Sequence, residues 1–298
     1  MLRESLQGTG VALVTPFAAD LEVDYSALGR VIDFVIKGGV EYVVTLGTTG
    51  ETPTLSREEK IDIIHFTYEH VNRRVPVVVG IGGNNTEELI KDLETFPLEK
   101  AIAVLSASPY YSKPSQEGLF AHYKALAEAS PKPILLYNVP ARTGRNVNAS
   151  TIIQLAHEVE NIVGIKEAGG DMNQCMQILR DRPDDFLVVS GDDALALPQI
   201  ACGMDGVISV AANSFPDRFA DMVRAALKHD FKTAKLINDQ LLEGYDLLFA
   251  ENNPAGVKAA LAEMGIINNF LRLPLVTLSD GLTSKMKSYL KKNFSLQL

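Results

Sequence analysis

Short β-branched runs alternate along the chain with longer amphipathic stretches. GVALVTPF (10–17) reads as a strand, and DYSALGRVIDFVIKGG (24–39) reads as a helix with Asp24 as N-cap and Gly38-Gly39 as its stop. YVVTLG (42–47) is the next strand, and Ser56 caps the helix REEKIDIIHFTYEHV. VPVVVGIGG (75–83) precedes TEELIKDLETF, and AIAVLSASPYY (101–111) precedes QEGLFAHYKALAEAS. PILLYNVP (133–140) precedes ASTIIQLAHEV, and NIVGIKEAGG (161–170) precedes MNQCMQILRDR. FLVVSGDD (186–193) precedes ALALPQIACG, and GVISVAANSFP (206–216) precedes DRFADMVRAALKH.

Eight strand–helix units of similar size therefore follow one another. Nearly continuous apolar strands predict a parallel sheet covered on both faces. The α/β class follows, and a closed (β/α)₈ TIM barrel over residues 1–229 is the simplest architecture. An open doubly wound sheet is the alternative, but no switch-point fingerprint accompanies the units. Residues 230–298 carry helical patterns at FKTAKLINDQLLEGYDLL, PAGVKAALAEMG and TSKMKSYLKK, and predict a small helical C-terminal domain.

Composition narrows the class. With 298 residues, 46% hydrophobic and 22% charged, the chain is neither disordered nor a disulfide scaffold. A net charge of -9 repels phosphate backbones and anionic membranes, so neither nucleic acid nor membrane is an expected partner. Cys175 and Cys202 both lie in patterns that read as buried helix, which points to a reducing compartment. MLRESLQGTG holds no signal-peptide apolar run, and no window reaches the ~18 apolar residues of a membrane span. A soluble, cytoplasmic protein is expected.

In such barrels chemistry sits at the carboxyl ends of the strands. Lys166 is the one lysine flanked by a strand pattern, IVGIKEAG. A lysine pointing into a barrel loses solvent, which disfavours its ammonium form and favours a nucleophile that makes Schiff bases with carbonyls. A lysine paired with a carboxylate at the rim fits this residue equally well. Tyr137 ends the apolar run ILLY and is either a proton donor and acceptor or a core tyrosine with a satisfied hydroxyl. The hydroxyls of Thr48, Tyr111 and Tyr137 stand at separate strand ends and could form a relay. Arg142, placed in the loop after Pro140, can grip a carboxylate with two hydrogen bonds, or form an ordinary surface ion pair. Thr48 and Thr49, flanked by glycines, can offer hydroxyls and N–H groups to a second carboxylate, or be a plain turn.

Other chemistries fit poorly. His65, His70, His122, His157 and His229 all read as helical, away from the strand ends, and no HExxH or other metal-ligand spacing occurs. The glycines of 80–83 lack a dinucleotide fingerprint and a P-loop lysine. Asp192 and Asp193 stand where barrels usually hold phosphate. No metal and no cofactor is implied.

GTTGE (47–51), SPYYSKPSQEGL (108–119), YNVPARTG (137–144), GIKEAGG (164–170), SGDD (190–193) and GVISV (206–210) together resemble the dihydrodipicolinate synthase family over essentially the whole chain. The resemblance implies condensation of pyruvate with L-aspartate 4-semialdehyde in lysine and diaminopimelate biosynthesis. Lys166 matches the imine-forming lysine, Tyr137 the proton donor and acceptor, and Thr48 and Tyr111 the rest of the relay. In the family the second tyrosine of the YY pair reaches into the neighbouring subunit's site, so a homo-oligomer, commonly a tetramer, is implied. Thr49 and Ile208 match pyruvate-contacting positions, Gly191 a site-lining position, and Arg142 the arginine for the semialdehyde carboxylate. The protonated imine is the electron sink, which is why no cofactor is needed.

The sequence departs from the family at a cleft that binds free lysine in inhibited relatives. Thr52, Pro53, Arg57, Lys60, Asn84, Glu88 and Tyr110 match it. Asn84, Glu88 and Tyr110 keep the expected types, whereas Arg57 and Lys60 put cations where inhibited relatives often carry histidine. Two positive charges disfavour a cationic effector, so weak or absent inhibition by lysine is expected. Two other functions fit the sequence: a related pyruvate-dependent lyase acting on N-acetylneuraminate or a keto-sugar acid, and a barrel that binds a keto acid without turnover.

Overall fold

Alternation at period two sorts the strand residues between two apolar layers. Tyr42, Val44, Leu135, Tyr137, Leu187 and Val189 point into one cluster inside the barrel. Val43, Leu136, Ile165 and Val188 point outward into a larger cluster beneath the helices. The computed structural model describes residues 2–294. Among them β1 (Gly8–Ala12), β2 (Tyr42–Thr45), β3 (Val77–Gly80), β4 (Ala103–Ala107), β5 (Ile134–Asn138), β6 (Ile162–Glu167), β7 (Leu187–Ser190) and β8 (Gly206–Ser209) form a closed barrel in that order. Every pairing is parallel, including the closing pair of β8 with β1.

The helices are α1 (Leu2–Ser5), α2 (Tyr25–Lys37), α3 (Arg57–Val71), α4 (Thr86–Thr95), α5 (Gln116–Ala129), α6 (Pro140–Thr143) and α7 (Ala149–Glu158). They continue with α8 (Met172–Asp181), α9 (Ala196–Ala201), α10 (Pro216–Leu227), α11 (Phe231–Phe249), α12 (Ala255–Glu263) and α13 (Asp280–Phe294). Asp24 caps α2 by accepting from the Ala27 N–H at 2.9 Å. Ser56 and Glu59 make the reciprocal hydrogen bonds of a capping box at α3. After α10 the regular elements of the described chain are the three helices α11, α12 and α13, whose residues join the same apolar cluster as the outer barrel face. Among the described residues no helix is long and apolar enough to cross a membrane.

Several expectations need correction. The strands stop earlier than the apolar runs. β1 ends at Ala12, and Thr15 and Phe17 follow outside the strand. There the Thr15 hydroxyl donates to the Gly50 carbonyl at 2.8 Å, and Phe17 bridges Val23. Likewise β4 ends at Ala107, before Tyr110 and Tyr111. Cys202 is exposed, unlike the buried Cys175, because α9 has only six residues and ends just before it. His229 is not helical: it follows the end of α10 with a left-handed φ of 63°. Arg142 lies in the single turn α6 rather than in a loop.

Candidate active site

Lys166 and Tyr137 are register partners on β6 and β5. Both face inward at the carboxyl end of the barrel, so the lysine amine rests 4.4 Å from the centroid of the tyrosine ring. Lys166 is only 4% exposed. Among the described residues no carboxylate forms an ion pair with it, so the rim salt bridge allowed by the sequence is not present. Strand alternation is the reason. Glu167, the adjacent residue, faces the helices. There it accepts from Asn138 Nδ2 at 2.9 Å, Gln174 Nε2 at 3.0 Å and the Gly169 N–H at 2.6 Å. Burial raises the Glu167 carboxyl above its ordinary range, against those three donors.

The amine and the phenol open into a cavity of about 230 Å³. Thr48, Thr49, Arg142 and Gly191 line it as well, so six of the expected site residues meet there. Thr48 and Thr49 come from a three-residue 3₁₀ turn that follows β2. Gly191 has a steric reason: a Cβ there would lie 2.5 Å from the Ala168 Cβ and 2.9 Å from the Lys166 Cε. Arg142 is exposed, with no hydrogen-bond or ion-pair partner for its guanidinium among the described residues. An unpaired amine beside a phenol, facing a free guanidinium across a small cavity, suits a carbonyl compound that carries a carboxylate.

The sequence pattern that defines the dihydrodipicolinate synthetase family matches residues 5–293. The chain belongs to this family. It is 47% identical over 285 residues to the 4-hydroxy-tetrahydrodipicolinate synthase of Flavobacterium psychrophilum, covering 96% of this chain and 97% of that one. The crystal structure of dihydrodipicolinate synthase from Thermotoga maritima superposes with a TM-score of 0.95 at 37% identity, over 98% of this chain and 100% of that one. A synthase from Cyanidioschyzon merolae with lysine bound gives a TM-score of 0.94 at 34% identity, over 98% of this chain and 99% of that one.

Two expected residues do not line the inner cavity. Ile208 is fully buried in the inner apolar cluster on β8 and does not line the cavity. Tyr111 is 91% exposed, with a left-handed φ of 67°. The turn after β4 carries it outward, so within one chain its hydroxyl cannot join Thr48 and Tyr137 in a relay.

A second, outer chamber of about 460 Å³ shares Thr48, Tyr137 and Arg142 with the inner one. Thr52, Pro53, Lys60 and Tyr110 line it, and no acidic side chain does. Asn84 supports Tyr110 by accepting from its N–H at 2.8 Å. Glu88 lies exposed in the first turn of α4 and does not line the chamber. Arg57 does not line it either. Its guanidinium pairs with Asp92 and Thr95 on α4 and stacks over Phe96, leaving Lys60 as the effective cation of the expected pair.

Sequence reasoning missed the share of the C-terminal helices. Phe249 and Asn253 line the inner cavity, and Asn253 Nδ2 donates to the Thr49 hydroxyl at 3.0 Å. The available signal was the Asn253-Pro254 break between two helical patterns. Among the described residues no cluster of three or more His, Cys, Asp or Glu side chains could hold a metal ion. His122 is a core residue on α5, bonded to Thr86 at 2.8 Å, and burial pushes it down to about 4.

Asp193 lies buried behind the site and accepts from the Val210 and Ala211 N–H groups at 3.2 and 2.8 Å. Burial outweighs these bonds and the Ser209 hydroxyl, and pushes the carboxyl up to about 6. The folded chain thus holds this proton more tightly than the unfolded one. The associated stability is full below about pH 4 and is lost as pH rises through about 6. Asp193→Asn is expected to reduce the loss of stability between pH 4 and pH 7.5 by up to about 3 kcal/mol. Urea unfolding of both proteins at the two pH values checks it, and identical pH dependences would refute the assignment.

Proposed function

We propose that the chain condenses pyruvate with L-aspartate 4-semialdehyde through a Schiff base on Lys166, giving 4-hydroxy-tetrahydrodipicolinate for lysine and diaminopimelate biosynthesis. The observation that carries the chemistry is the buried, unpaired Lys166 amine against the Tyr137 ring in the cavity. The amine attacks the pyruvate carbonyl, and loss of water gives a protonated imine. That imine draws electrons from the methyl carbon, which loses a proton to form the enamine. The enamine carbon then attacks the aldehyde, and the amino group of the semialdehyde adds to the imine carbon, closing the ring and expelling the free Lys166 amine. Tyr137 and Thr48 carry protons between these steps. Thr49 holds the pyruvate carboxylate and Gly191 leaves space beside the lysine, while Ile208 belongs to the inner apolar packing rather than to the cavity wall. Arg142 holds the carboxylate of the semialdehyde. The charged guanidinium favours this aldehyde over the polyol chain of a sugar acid. Sodium borohydride added with pyruvate tests the reading: a mass adduct on Lys166 is expected, and its absence would leave a barrel that only binds keto acids.

Residues 1–229 are read as the catalytic barrel and 230–298 as a helical domain that completes the site. A cytoplasmic location agrees with the biosynthetic role. A homo-oligomer, most simply a tetramer, gives the exposed Tyr111 its place: its ring enters a neighbouring subunit's site and supplies the third relay hydroxyl. Refolding Lys166→Ala together with Tyr111→Phe is expected to restore activity above either parent variant. Each mixed pair then holds one site with an intact lysine and a partner's intact tyrosine. No gain on mixing would place Tyr111 outside the relay.

Lys60 and Arg142 make the outer chamber cationic, with no acid on its lining to hold an ammonium group. Added L-lysine is therefore expected to leave the initial rate unchanged at micromolar concentration, and inhibition there would overturn this expectation.

A further inference from the structure

A second buried lysine lies close to the site but not in it. Lys258 of α12 and Glu51, which follows the turn carrying Thr48 and Thr49, form an ion pair with both side chains 0% exposed. Lys258 Nζ also donates to the Phe270 carbonyl at 2.9 Å and lies 4.2 Å from the Phe17 ring centroid. Glu51 Oε2 accepts from the Arg272 N–H at 3.2 Å. The Arg272 guanidinium stacks on Phe17 at 4.5 Å and bonds Glu59 and the Thr54 carbonyl. Burial lowers the Lys258 amine to about 8 despite the carboxylate beside it.

Such a pair is a poor source of stability, since desolvation of two charges offsets most of their attraction. Its geometric effect is larger. The turn has three residues and no core of its own. Thr15 holds it through Gly50, Asn253 through Thr49, and the Glu51 carboxylate binds its far end to α12. Glu51 is itself in the left-handed region, at φ 54°, which sharply turns the chain just past the two threonines.

We propose that the buried Glu51–Lys258 pair is a positioning device that fixes the turn carrying Thr48 and Thr49 and so aims the Thr48 hydroxyl into the catalytic cavity. The inference rests on the synthase reading above. Neither residue touches substrate; both act through the turn.

The full-length double variant Glu51→Gln/Lys258→Met removes both charges, so neither is left buried without its counter-ion. It is expected to melt near the parent temperature and, with excess pyruvate and long incubation, still to be captured on Lys166 under borohydride, more slowly than the parent. Exchange of the pyruvate methyl hydrogens for deuterium, followed by NMR, and kcat are both expected to fall about tenfold or more. A folded double variant with parental exchange and kcat overturns the proposal. Glu51→Asp, which keeps both charges but shortens the reach by one methylene, is read by the same assays if the double variant does not fold. Parental rates there overturn the proposal too, and failure of both variants to fold would mark the pair as structural alone. The parent protein is the control for the synthase reading. No capture of pyruvate by the parent removes that reading, whereas capture with unaltered exchange in the variants removes only the positioning role.

Discussion

Lys166→Ala is expected to abolish borohydride capture of pyruvate and to lower turnover by ~10³-fold or more, about 4 kcal/mol of barrier. The loss is large because no other group in the inner cavity is an amine. Without the covalent imine, the methyl carbon of pyruvate has no electron sink, and carbon–carbon bond formation stops. Stability should respond in the opposite sense. The removed amine has no ion-pair partner among the described residues and is buried, so its loss strands no charge. Melting at or above the parent temperature, with a circular dichroism spectrum like the parent's, separates lost chemistry from lost fold. Capture of pyruvate on another lysine, or turnover within tenfold of the parent, would remove Lys166 from the mechanism.

Tyr137→Phe is the second large effect. The ring stays, so the packing against Lys166 and the inner cluster is kept. Only the hydroxyl goes, and with it the proton carrier assigned to Tyr137. A fall in kcat of ~10²–10⁴-fold is expected, with the melting temperature within a few degrees of the parent. Both the dehydration that forms the imine and the deprotonation that forms the enamine should slow. Single-turnover capture of pyruvate and methyl-hydrogen exchange would therefore decline together. Parental rates in this variant would return Tyr137 to the ordinary role of a core tyrosine.

The two residues also show why much of the site was legible. Each ends an apolar strand run, and in a barrel the period-two alternation leaves such a residue either inside or outside. Lys166 and Glu167 demonstrate both outcomes in adjacent positions, one facing the cavity and one bonded among helix residues. Thr48, Thr49, Arg142 and Gly191 followed because the carboxyl end of each strand is a fixed place in the barrel. Phe249, Asn253 and Lys258 did not follow, since no strand leads to them. Lys258 sits in a helix whose residues from Ala255 to Leu261 are all buried, a pattern that conceals a lysine among apolar neighbours.

The order of strands and helices and the N-caps of α2 and α3 were written in local patterns of residues close together in the chain. They involve neighbours along the chain, so residues read in succession suffice. The direction of Tyr111, the exposure of Cys202, the diversion of Arg57 to α4 and the joining of Glu51 to Lys258 were decided only in three dimensions. Glu51 and Lys258 meet across more than two hundred intervening residues, and only closure of the barrel and docking of α12 bring their charges into one dry space.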